Sequence, residues 1–295
     1  MQTKAVAIPD SLRQLYPFAS NTLTLKDGEK LHYLDEGKGD EAVLMVHGNP
    51  TWSFYYRNLI KNLRDHFRCI VPDHIGCGLS SKPQKYQYRL AQHIDNLSQL
   101  LETLSLKKIH LVLHDWGGAI GMGAAQSISN KIGSIIILNT AAFRSTHIPA
   151  RISLCRTPFL GSLIIRGMNG FARPAITMAM AQRKLSAEEK VGFLFPYNNW
   201  KNRVAIDAFV KDIPLKANHP SYETLQKIET NLGLFLENPM LIEWGGEDFC
   251  FDHTFRTQWQ MFFPQAKTTI HPDAGHYVLE DAPDVIPNIR NFLVS

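Results

Sequence analysis

An apolar run that meets one carboxylate and then passes into glycines constrains this chain more than any other stretch. The run 109–113 is short and predominantly apolar, as a strand buried on both faces of a parallel sheet requires. Four glycines follow, at positions 117, 118, 121 and 123, and they suit a helix that lies close against the sheet. We therefore predict a strand, a tight elbow and a helix, with Asp115 on the corner.

The corner of such an elbow is exposed at the carboxyl end of the sheet, where a nucleophile can reach a substrate. A carboxylate is ionised at pH 7 without help and can displace a leaving group from carbon to form an alkyl ester. The same residue could instead cap the following helix from its N-cap position. On the elbow motif alone, both roles stay open for Asp115.

Strand and helix signals alternate through most of the chain. An opening hairpin, residues 22–25 and 31–34, precedes predicted strands at 42–46, 69–71, 109–113, 134–138, 240–244 and 268–270. Predicted helices cover 55–64, 90–104, the stretch after Asp115, 253–263 and 285–293. Repetition of this kind implies an α/β fold with a mostly parallel sheet flanked by helices.

Between about residue 141 and residue 217 the alternation stops. The segment is helical and apolar, is broken by prolines and glycines, and contains no convincing strand. We predict a helical cap at 141–217, inserted into a core domain made of residues 1–140 and 218–295. A chain of 295 residues fits a single α/β domain that carries such an insertion.

Composition and charge argue against several other classes of protein. The net charge of +4 is small for this length and the basic residues are scattered among acids, which argues against a nucleic-acid-binding face. Four widely separated cysteines show no metal-ligand spacing and favour a reducing, cytoplasmic setting. Residues 1–9 lack the apolar core of a signal peptide, and the most apolar stretch, 152–165, is too interrupted and too short to span a bilayer.

Two further chemical side chains follow strands in the second half of the chain. Asp248 comes just after the strand at 240–244, and His276 lies in the loop after the next strand. The order nucleophile, acid, histidine along the chain is that of an α/β-hydrolase triad. An isolated loop histidine is more often a surface residue, and an aspartate such as Asp248 also suits a turn. Their shared sheet edge favours catalysis; Glu247 is the rival for the acid, and we prefer Asp248 because the acid usually follows Gly-x in this motif.

The loop after the strand 42–46 supplies candidate groups for an anion. In an α/β-hydrolase this loop and the residue after the nucleophile, here Trp116, donate backbone N–H groups to an oxyanion. The side-chain amide of Asn49 and the indole N–H of Trp116 could also point at a departing anion. A Gly-Asn-Pro turn with no other role is the alternative for Asn49. We leave His74 and His114 out of the chemistry.

These motifs resemble the haloalkane dehalogenase branch of the α/β-hydrolases over nearly the whole chain. The resemblance is carried by His-Gly-Asn-Pro-Thr-Trp at 47–52 and His-Asp-Trp-Gly-Gly at 114–118. One group of this branch places its acid after the strand that follows the nucleophile helix, but residues 139–143 contain no carboxylate, so the acid falls to Asp248. Related epoxide hydrolases use two cap tyrosines, whereas this chain offers Tyr197 and, just outside the cap, Tyr222. Epoxide hydrolysis is therefore the third alternative.

Longer stretches look more like the β-lactone decarboxylases of bacterial long-chain olefin biosynthesis, which are close to the third dehalogenase subfamily. The stretches are 71–80, 138–143, 167–173, 212–215 and 275–281. The resemblance implies conversion of cis-3,4-dialkyl β-lactones to cis-alkenes and CO2, with no cofactor or metal. It also implies an assembly with the β-lactone synthetase and the upstream reductase. Hydrolysis of haloalkanes remains the main alternative.

The residues permit two routes for lactone opening. Asp115 can attack the alkoxy carbon and release a carboxylate, or it can attack the carbonyl to form an anhydride. His276, oriented by Asp248, would activate water in a dehalogenase and would act electrostatically or as a proton shuttle in a decarboxylase.

The apolar residues of the cap are too numerous for a thin lid, and we expect part of this set to line a pocket for long alkyl chains. The set comprises Leu160, Leu163, Ile164, Ile165, Met168, Phe171, Ile176, Met178 and Met180.

Overall fold

The structure, a computed structural model, describes residues 8–295, in which eight strands form one sheet. The strands are β1 (Asn21–Thr24), β2 (Lys30–Glu36), β3 (Glu41–Val46), β4 (Arg68–Pro72), β5 (Lys108–Asp115), β6 (Ile132–Thr140), β7 (Met240–Gly245) and β8 (Lys267–His271). Their order across the sheet is β1-β2-β4-β3-β5-β6-β7-β8. Only the β1–β2 and β2–β4 pairs are antiparallel, so the predicted hairpin and mostly parallel sheet are confirmed.

Helices cover both faces of this sheet. They are α1 (Asp10–Arg13), α2 (Arg57–Leu63), α3 (Leu90–Leu104), α4 (Trp116–Ala125), α5 (Ala150–Cys155), α6 (Leu160–Ser162), α7 (Ala172–Met178), α8 (Ala187–Leu194), α9 (Val204–Lys211), α10 (Tyr222–Thr230), α11 (His253–Phe262), α12 (Val278–Asp281) and α13 (Val285–Val294). Short 3₁₀ turns lie at Ser53–Tyr56, Gln126–Lys131, Phe195–Tyr197, Lys201–Arg203 and Leu232–Phe235, and a π-helical turn lies at Leu163–Gly167.

The junction of β5 and α4 is the predicted elbow, and its glycines explain how closely the helix approaches the sheet. A Cβ atom on Gly117 would lie 1.9 Å from the Val46 carbonyl oxygen, and one on Gly118 would lie 2.0 Å from Thr140 Oγ1. One on Gly121 would lie 2.4 Å from a Leu113 methyl group. Only glycine at these positions lets α4 start directly on the carboxyl ends of β3, β5 and β6.

Helices, and no strand among the described residues, connect β6 to β7. The helices α5, α7 and α9 contribute residues to a cavity that also contains Asp115 at the carboxyl end of β5, whereas α10 packs on α3 and α4. We propose that residues 141–217 form a cap on a core domain made of the remaining chain, and we call this segment the cap.

A buried ionic cluster connects the cap to the core. The guanidinium of Arg57 on α2 is buried, forms a close bidentate ion pair with Glu280 on α12, and lies 3.0 Å from Glu189 on α8 of the cap. Arg183 of the cap also pairs with both Glu189 and Glu280. Because each buried charge has hydrogen-bonded partners of opposite sign, removing one member would leave the others uncompensated.

The cap is also fastened to the loop between β8 and α12. The Asp281 carboxylate accepts hydrogen bonds from the backbone N–H groups of residues 181, 182 and 183 in the cap and from Gly275 in the loop. The backbone N–H of Tyr277 donates to the carbonyl of Ala179 at 2.8 Å. The position of this loop therefore depends on residues 179–183, in the second half of the cap.

No helix in the described part of the chain is long and apolar enough to cross a membrane. The expectation about a signal peptide concerns residues 1–9, of which 1–7 lie outside the described residues.

The glycine packing at the elbow gives a stability prediction. Gly117→Ala should lower the free energy of unfolding by about 3 kcal/mol or more, because its Cβ meets a backbone carbonyl that cannot move away. Gly233→Ala is the matched control, since a Cβ there meets no atom within 4 Å. Urea unfolding of the two variants measures the difference, and equal stabilities would contradict the packing argument.

Candidate active site

Asp115 occupies the corner of the elbow in a strained backbone conformation, with φ 52° and ψ −126°. This region is rarely populated by residues other than glycine. The backbone N–H of Asn49 donates to Asp115 Oδ1 at 2.5 Å, and the N–H of Trp116 also donates to this carboxylate. The approach requires Gly48, because a Cβ there would lie 2.0 Å from Asp115 Oδ1. The two predicted backbone donors thus converge on the carboxylate itself.

The structure brings the predicted acid and histidine to the same sheet edge as Asp115. His276 Nδ1 donates to Asp248 Oδ2 at 2.7 Å, and His276 Nε2 lies 3.7 Å from Asp115 Oδ2. The other oxygen of Asp248 accepts the backbone N–H of Cys250 at 2.6 Å. All three triad side chains are buried. Glu247 is exposed and makes no contact with the histidine, so Asp248 is the acid that the geometry favours.

The charges of the triad shift the pKa values of Asp115 and His276. Burial raises the pKa of Asp115, and the nearby His276 charge and the two backbone donors oppose that shift. Burial alone would lower the pKa of His276, but the charge and hydrogen bond of Asp248 and the charge of Asp115 raise it overall. The site therefore favours an imidazolium between two carboxylates.

The two histidines that we left out of the chemistry make structural contacts. His114 Nε2 donates to the His276 carbonyl oxygen at 2.9 Å, and the two rings lie 4.5 Å apart. Burial keeps the pKa of His114 well below its usual range, so this ring is neutral. His74 Nε2 donates to the His47 carbonyl at 2.8 Å and braces the loop that carries Asn49.

Two other neighbours of the triad, Thr140 and Phe251, are not predicted by any sequence motif. The Thr140 hydroxyl at the end of β6 donates a short hydrogen bond to the Asp115 carbonyl. The ring of Phe251 stacks on His276 with centroids 5.7 Å apart and planes 14° from parallel. A threonine after a strand and a phenylalanine after an acid carry no motif, so only the fold reveals their contacts.

The side chains of Asn49 and Trp116, the two candidate anion donors, differ in their hydrogen bonds. The Asn49 side-chain amide donates to the Ile206 carbonyl at 3.3 Å, and its oxygen is buried with no partner among the described residues. An amide nitrogen carries two hydrogens, so one stays available. Trp116 is half-buried beside Phe209, and its indole N–H makes no hydrogen bond within the described part of the chain. Both residues line the same cavity as Asp115 and His276.

That cavity has a volume of about 380 Å³ and a predominantly apolar wall. Of the nine cap residues expected to contribute, Ile164, Phe171 and Met178 line it. Leu160, Leu163 and Met168 instead project into solvent, because the short helical turns of the cap place them on its outer face. The remaining three, Ile165, Ile176 and Met180, lie outside the cavity wall and are buried or half-buried.

The tyrosines considered for epoxide hydrolysis do not reach the cavity. Tyr197 is buried and its hydroxyl donates to the Thr51 carbonyl at 3.0 Å. The Tyr222 hydroxyl lies 3.4 Å from Arg144 Nη1. In residues 8–295 no group of three or more His, Cys, Asp or Glu side chains is arranged to hold a metal ion.

Comparisons with known proteins agree with this geometry. Residues 41–154 match the family model of the alpha/beta hydrolase fold. The chain is 44% identical over 291 residues to the cis-3-alkyl-4-alkyloxetan-2-one decarboxylase of Shewanella oneidensis, covering 96% of this chain and 91% of the relative. It is 40% identical to the protein of that name from Xanthomonas campestris, covering 94% of this chain and 97% of the relative. The chain belongs to the cis-3-alkyl-4-alkyloxetan-2-one decarboxylase family.

Haloalkane dehalogenases are more distant from this member of the decarboxylase family. A haloalkane dehalogenase of Mycobacterium bovis is 31% identical, covering 92% of this chain and 94% of the relative. The crystal structure of the haloalkane dehalogenase from Bradyrhizobium elkani has a TM-score of 0.84 and 23% identity, covering 94% of this chain and 99% of that one. The structural likeness confirms the predicted α/β-hydrolase fold, and the sequence relatives confirm the predicted resemblance.

The ion pair of the triad predicts the titration of His276. In the native chain the pKa of His276 should lie above the ordinary value of about 6.5, and Asp248→Asn should lower it, because the charge and hydrogen bond of Asp248 are lost while burial and the Asp115 charge remain. Histidine NMR titration, with the His276 signal assigned through His276→Gln, measures both. Glu247→Gln removes the neighbouring exposed carboxylate and should leave the titration unchanged. An unchanged titration in Asp248→Asn would remove Asp248 from its place beside the histidine.

Proposed function

We propose that this protein decarboxylates cis-3,4-dialkyl β-lactones to cis-alkenes and CO2, with Asp115 as the nucleophile. The observation that carries the proposal is the 44% identity, over 96% of the chain, to a relative named cis-3-alkyl-4-alkyloxetan-2-one decarboxylase. A predominantly apolar cavity that ends at a buried carboxylate supports it. Such a wall suits alkyl chains, and the carboxylate is the chemical group at its base.

The first step is attack of Asp115 on the alkoxy carbon of the lactone ring. Oδ1 is held by the Asn49 N–H, so Oδ2 is the oxygen that forms the new bond. The carbon–oxygen bond of the ring breaks and its electron pair leaves on the substrate's carboxylate. Release of ring strain assists this displacement, and the configuration at the attacked carbon inverts.

The leaving carboxylate forms next to two N–H donors of the cavity wall. The indole of Trp116 and the second hydrogen of the Asn49 amide provide them. Donors that are already in place when charge develops lower the barrier without reorganising.

The second step is collapse of the alkyl ester. The bond between the ring carbon and the carboxylate breaks, CO2 departs, the electron pair forms the carbon–carbon double bond, and the bond to Asp115 Oδ2 breaks. The two steps together consume no water and need no net proton transfer. Inversion at the attacked carbon followed by anti elimination gives an overall syn loss of CO2 from the lactone ring. A ring with cis substituents therefore gives a cis-alkene.

His276 acts electrostatically in this cycle. An imidazolium 3.7 Å from Asp115 Oδ2 keeps the buried carboxylate ionised and ready to attack. General-base activation of water requires a neutral imidazole, and the raised pKa of His276 works against that form in the resting site.

Haloalkane hydrolysis is the second candidate, favoured by the relative that is 31% identical and by a triad that could hydrolyse an alkyl ester. Attack on the lactone carbonyl would give an anhydride and is the competing route for the proposed substrate. From the family resemblance we also propose an assembly with the β-lactone synthetase and upstream reductase, and from the widely separated cysteines a cytoplasmic location.

Trp116 provides a test of anion stabilisation. Trp116→Phe removes the indole N–H but keeps an aromatic ring against Phe209, and it should lower turnover of a cis-dialkyl β-lactone about 10²-fold. Trp200→Phe is the matched control, because Trp200 is 45% exposed and lies outside the cavity wall. Steady-state kinetics, together with unfolding temperatures, separate a loss of anion stabilisation from a loss of folding stability. A loss of turnover that only follows a loss of stability would give Trp116 a structural role.

The fate of the aspartate oxygens separates elimination from hydrolysis. Ester hydrolysis adds solvent oxygen to the Asp115 carboxyl at each turnover, whereas elimination breaks the bond on the substrate side and retains both oxygens. Multiple turnovers of the lactone in H2 18O, followed by peptide mass spectrometry, should therefore leave the Asp115 peptide unlabelled.

A bromoalkane offered to the same preparation is the comparison, since productive hydrolysis must label this peptide. Asp115→Asn, with deamidation excluded by mass, should be inactive on both substrates because a neutral amide is a poor nucleophile. Label appearing at every turnover of the lactone would contradict olefin formation and indicate a hydroxy acid product.

A further inference from the structure

The outer surface of the cap carries large apolar side chains in solvent. Phe159 is 92% exposed, Met168 69% and Leu163 56%, with Leu154 and Leu160 about half exposed. Leu154 lies on α5, and the other four run from the residue before α6 to the residue after the π-helical turn that continues α6; α5 packs against α6. Single exposed hydrophobic residues are ordinary, but five within one short segment form a patch that indicates an interaction. We call these five residues the cap patch.

Phe159 is held in solvent by an unusual turn. Its φ of 59° and ψ of −54° are those of a classic γ-turn, closed by the hydrogen bond from the Leu160 N–H to the Pro158 carbonyl. Bulky residues rarely adopt positive φ. The backbone therefore holds an aromatic ring in solvent, and packing against the described part of the chain does not account for this position.

The charge of the same segment is one-sided. Residues 141–187 contain six arginines and one lysine but no aspartate or glutamate, although the chain's 27 acids would place about four in such a length. Arg144 and Arg183 form ion pairs with glutamates. The other four, which are Arg151, Arg156, Arg166 and Arg173, form no ion pair with a carboxylate among the described residues.

The free arginines alternate with the cap patch. Arg151 lies three residues before Leu154 on α5, which places these two exposed side chains on one side of that helix. Arg166 is half-buried on the π-helical turn, where its Nε donates to the Trp200 carbonyl and its Nη2 donates to Gln84 Oε1. Arg166 also lies over the Trp200 ring at 4.6 Å. The surface thus offers apolar side chains and unneutralised cations side by side.

From this arrangement we propose that the cap patch and its free arginines dock on an anionic phospholipid bilayer. An anionic membrane interface supplies phosphates for the guanidinium groups and an apolar phase for the side chains. The long arginine stems can lie along that apolar phase while their charged ends stay at the phosphates.

The position of the patch relative to the cavity favours lipid as the occupant. Arg151 and Leu154 belong both to the exposed surface and to the cavity wall. A docked cap would place this side of the cavity at the bilayer surface, where a dialkyl substrate dissolves. Binding to the bilayer itself depends only on the cap surface and is independent of the reaction.

Sedimentation with vesicles tests the proposal without substrate. The full chain should bind vesicles made of equal parts phosphatidylcholine and phosphatidylglycerol at least about tenfold more tightly than vesicles of phosphatidylcholine alone, since each arginine near an anionic surface contributes about fivefold. Added salt should weaken this binding. Phe159→Gly/Leu163→Ser/Met168→Ser and, separately, Arg166→Gln/Arg173→Gln should each lower it about tenfold or more.

Matched substitutions elsewhere serve as controls. Met261→Ser/Leu234→Ser removes exposed apolar side chains outside the cap, and Lys38→Gln/Lys107→Gln removes charges next to the amino ends of β3 and β5, the edge of the sheet away from the cap. Both should bind as the native chain does. Glycine suits the positive φ at 159, so the apolar cap variant should keep its unfolding temperature.

Three results would overturn the proposal. One is no binding of the native chain to anionic vesicles, and another is equal binding by the native chain and both cap variants. The third is a concentration-dependent dimer in sedimentation velocity that the apolar cap variant abolishes while vesicle binding persists, since the patch would then be an interface between copies of the chain.

Discussion

One carboxylate must stay ionised although the fold removes it from water. An unpaired buried charge is costly, and proteins tolerate it only with hydrogen bonds and an opposite charge nearby. For Asp115 these are the backbone N–H groups of Asn49 and Trp116 and the imidazole of His276. The donors come from the ends of β3 and β5 and the imidazole from the loop after β8, so the sheet must bring these ends together before the charge is stable.

The close packing around the elbow follows from the same constraint. Backbone donors reach the carboxylate only if no side chain stands between them, and Gly48 leaves that space open, while Gly117 lets α4 approach the end of β3. The strained conformation of Asp115 is maintained because the helix and two strands around it fix the backbone on every side. Strain, glycine packing and ionisation are thus parts of one arrangement.

Much of this arrangement is visible in the sequence because it depends on local patterns. Buried apolar runs predicted five of the six strands after the opening hairpin, whereas the sixth, β8, has no buried residue, and the run into Asp115 predicted the elbow. Strand ends in a parallel sheet share one edge, so Asp248 and His276 were expected near Asp115, and the structure places them there. The Asn49 side chain was less predictable, since its bond to the Ile206 carbonyl depends on how the cap sits on the core.

The cap was the least predictable part. Its helices are short and separated by prolines, glycines and a π-helical turn, so the 3.6-residue period does not run long enough to define an inner face. Ile164 consequently lines the cavity whereas the adjacent Leu163 projects into solvent. The ion pair of Arg57 with Glu280 joins residues far apart in sequence, so no local sequence pattern predicts it.

The two halves of the cap differ in how freely their sequence can change during evolution. In the second half, residues 179–189 are tied to the histidine loop through Asp281, Glu280 and Glu189, so substitutions that break these contacts would disturb the triad. The first half supplies Ile164, Phe171 and Met178 to the cavity and has no such attachment to the catalytic loop. Descendants of this chain can therefore acquire preferences for longer or shorter alkyl groups by changing the first half while the chemistry is inherited intact.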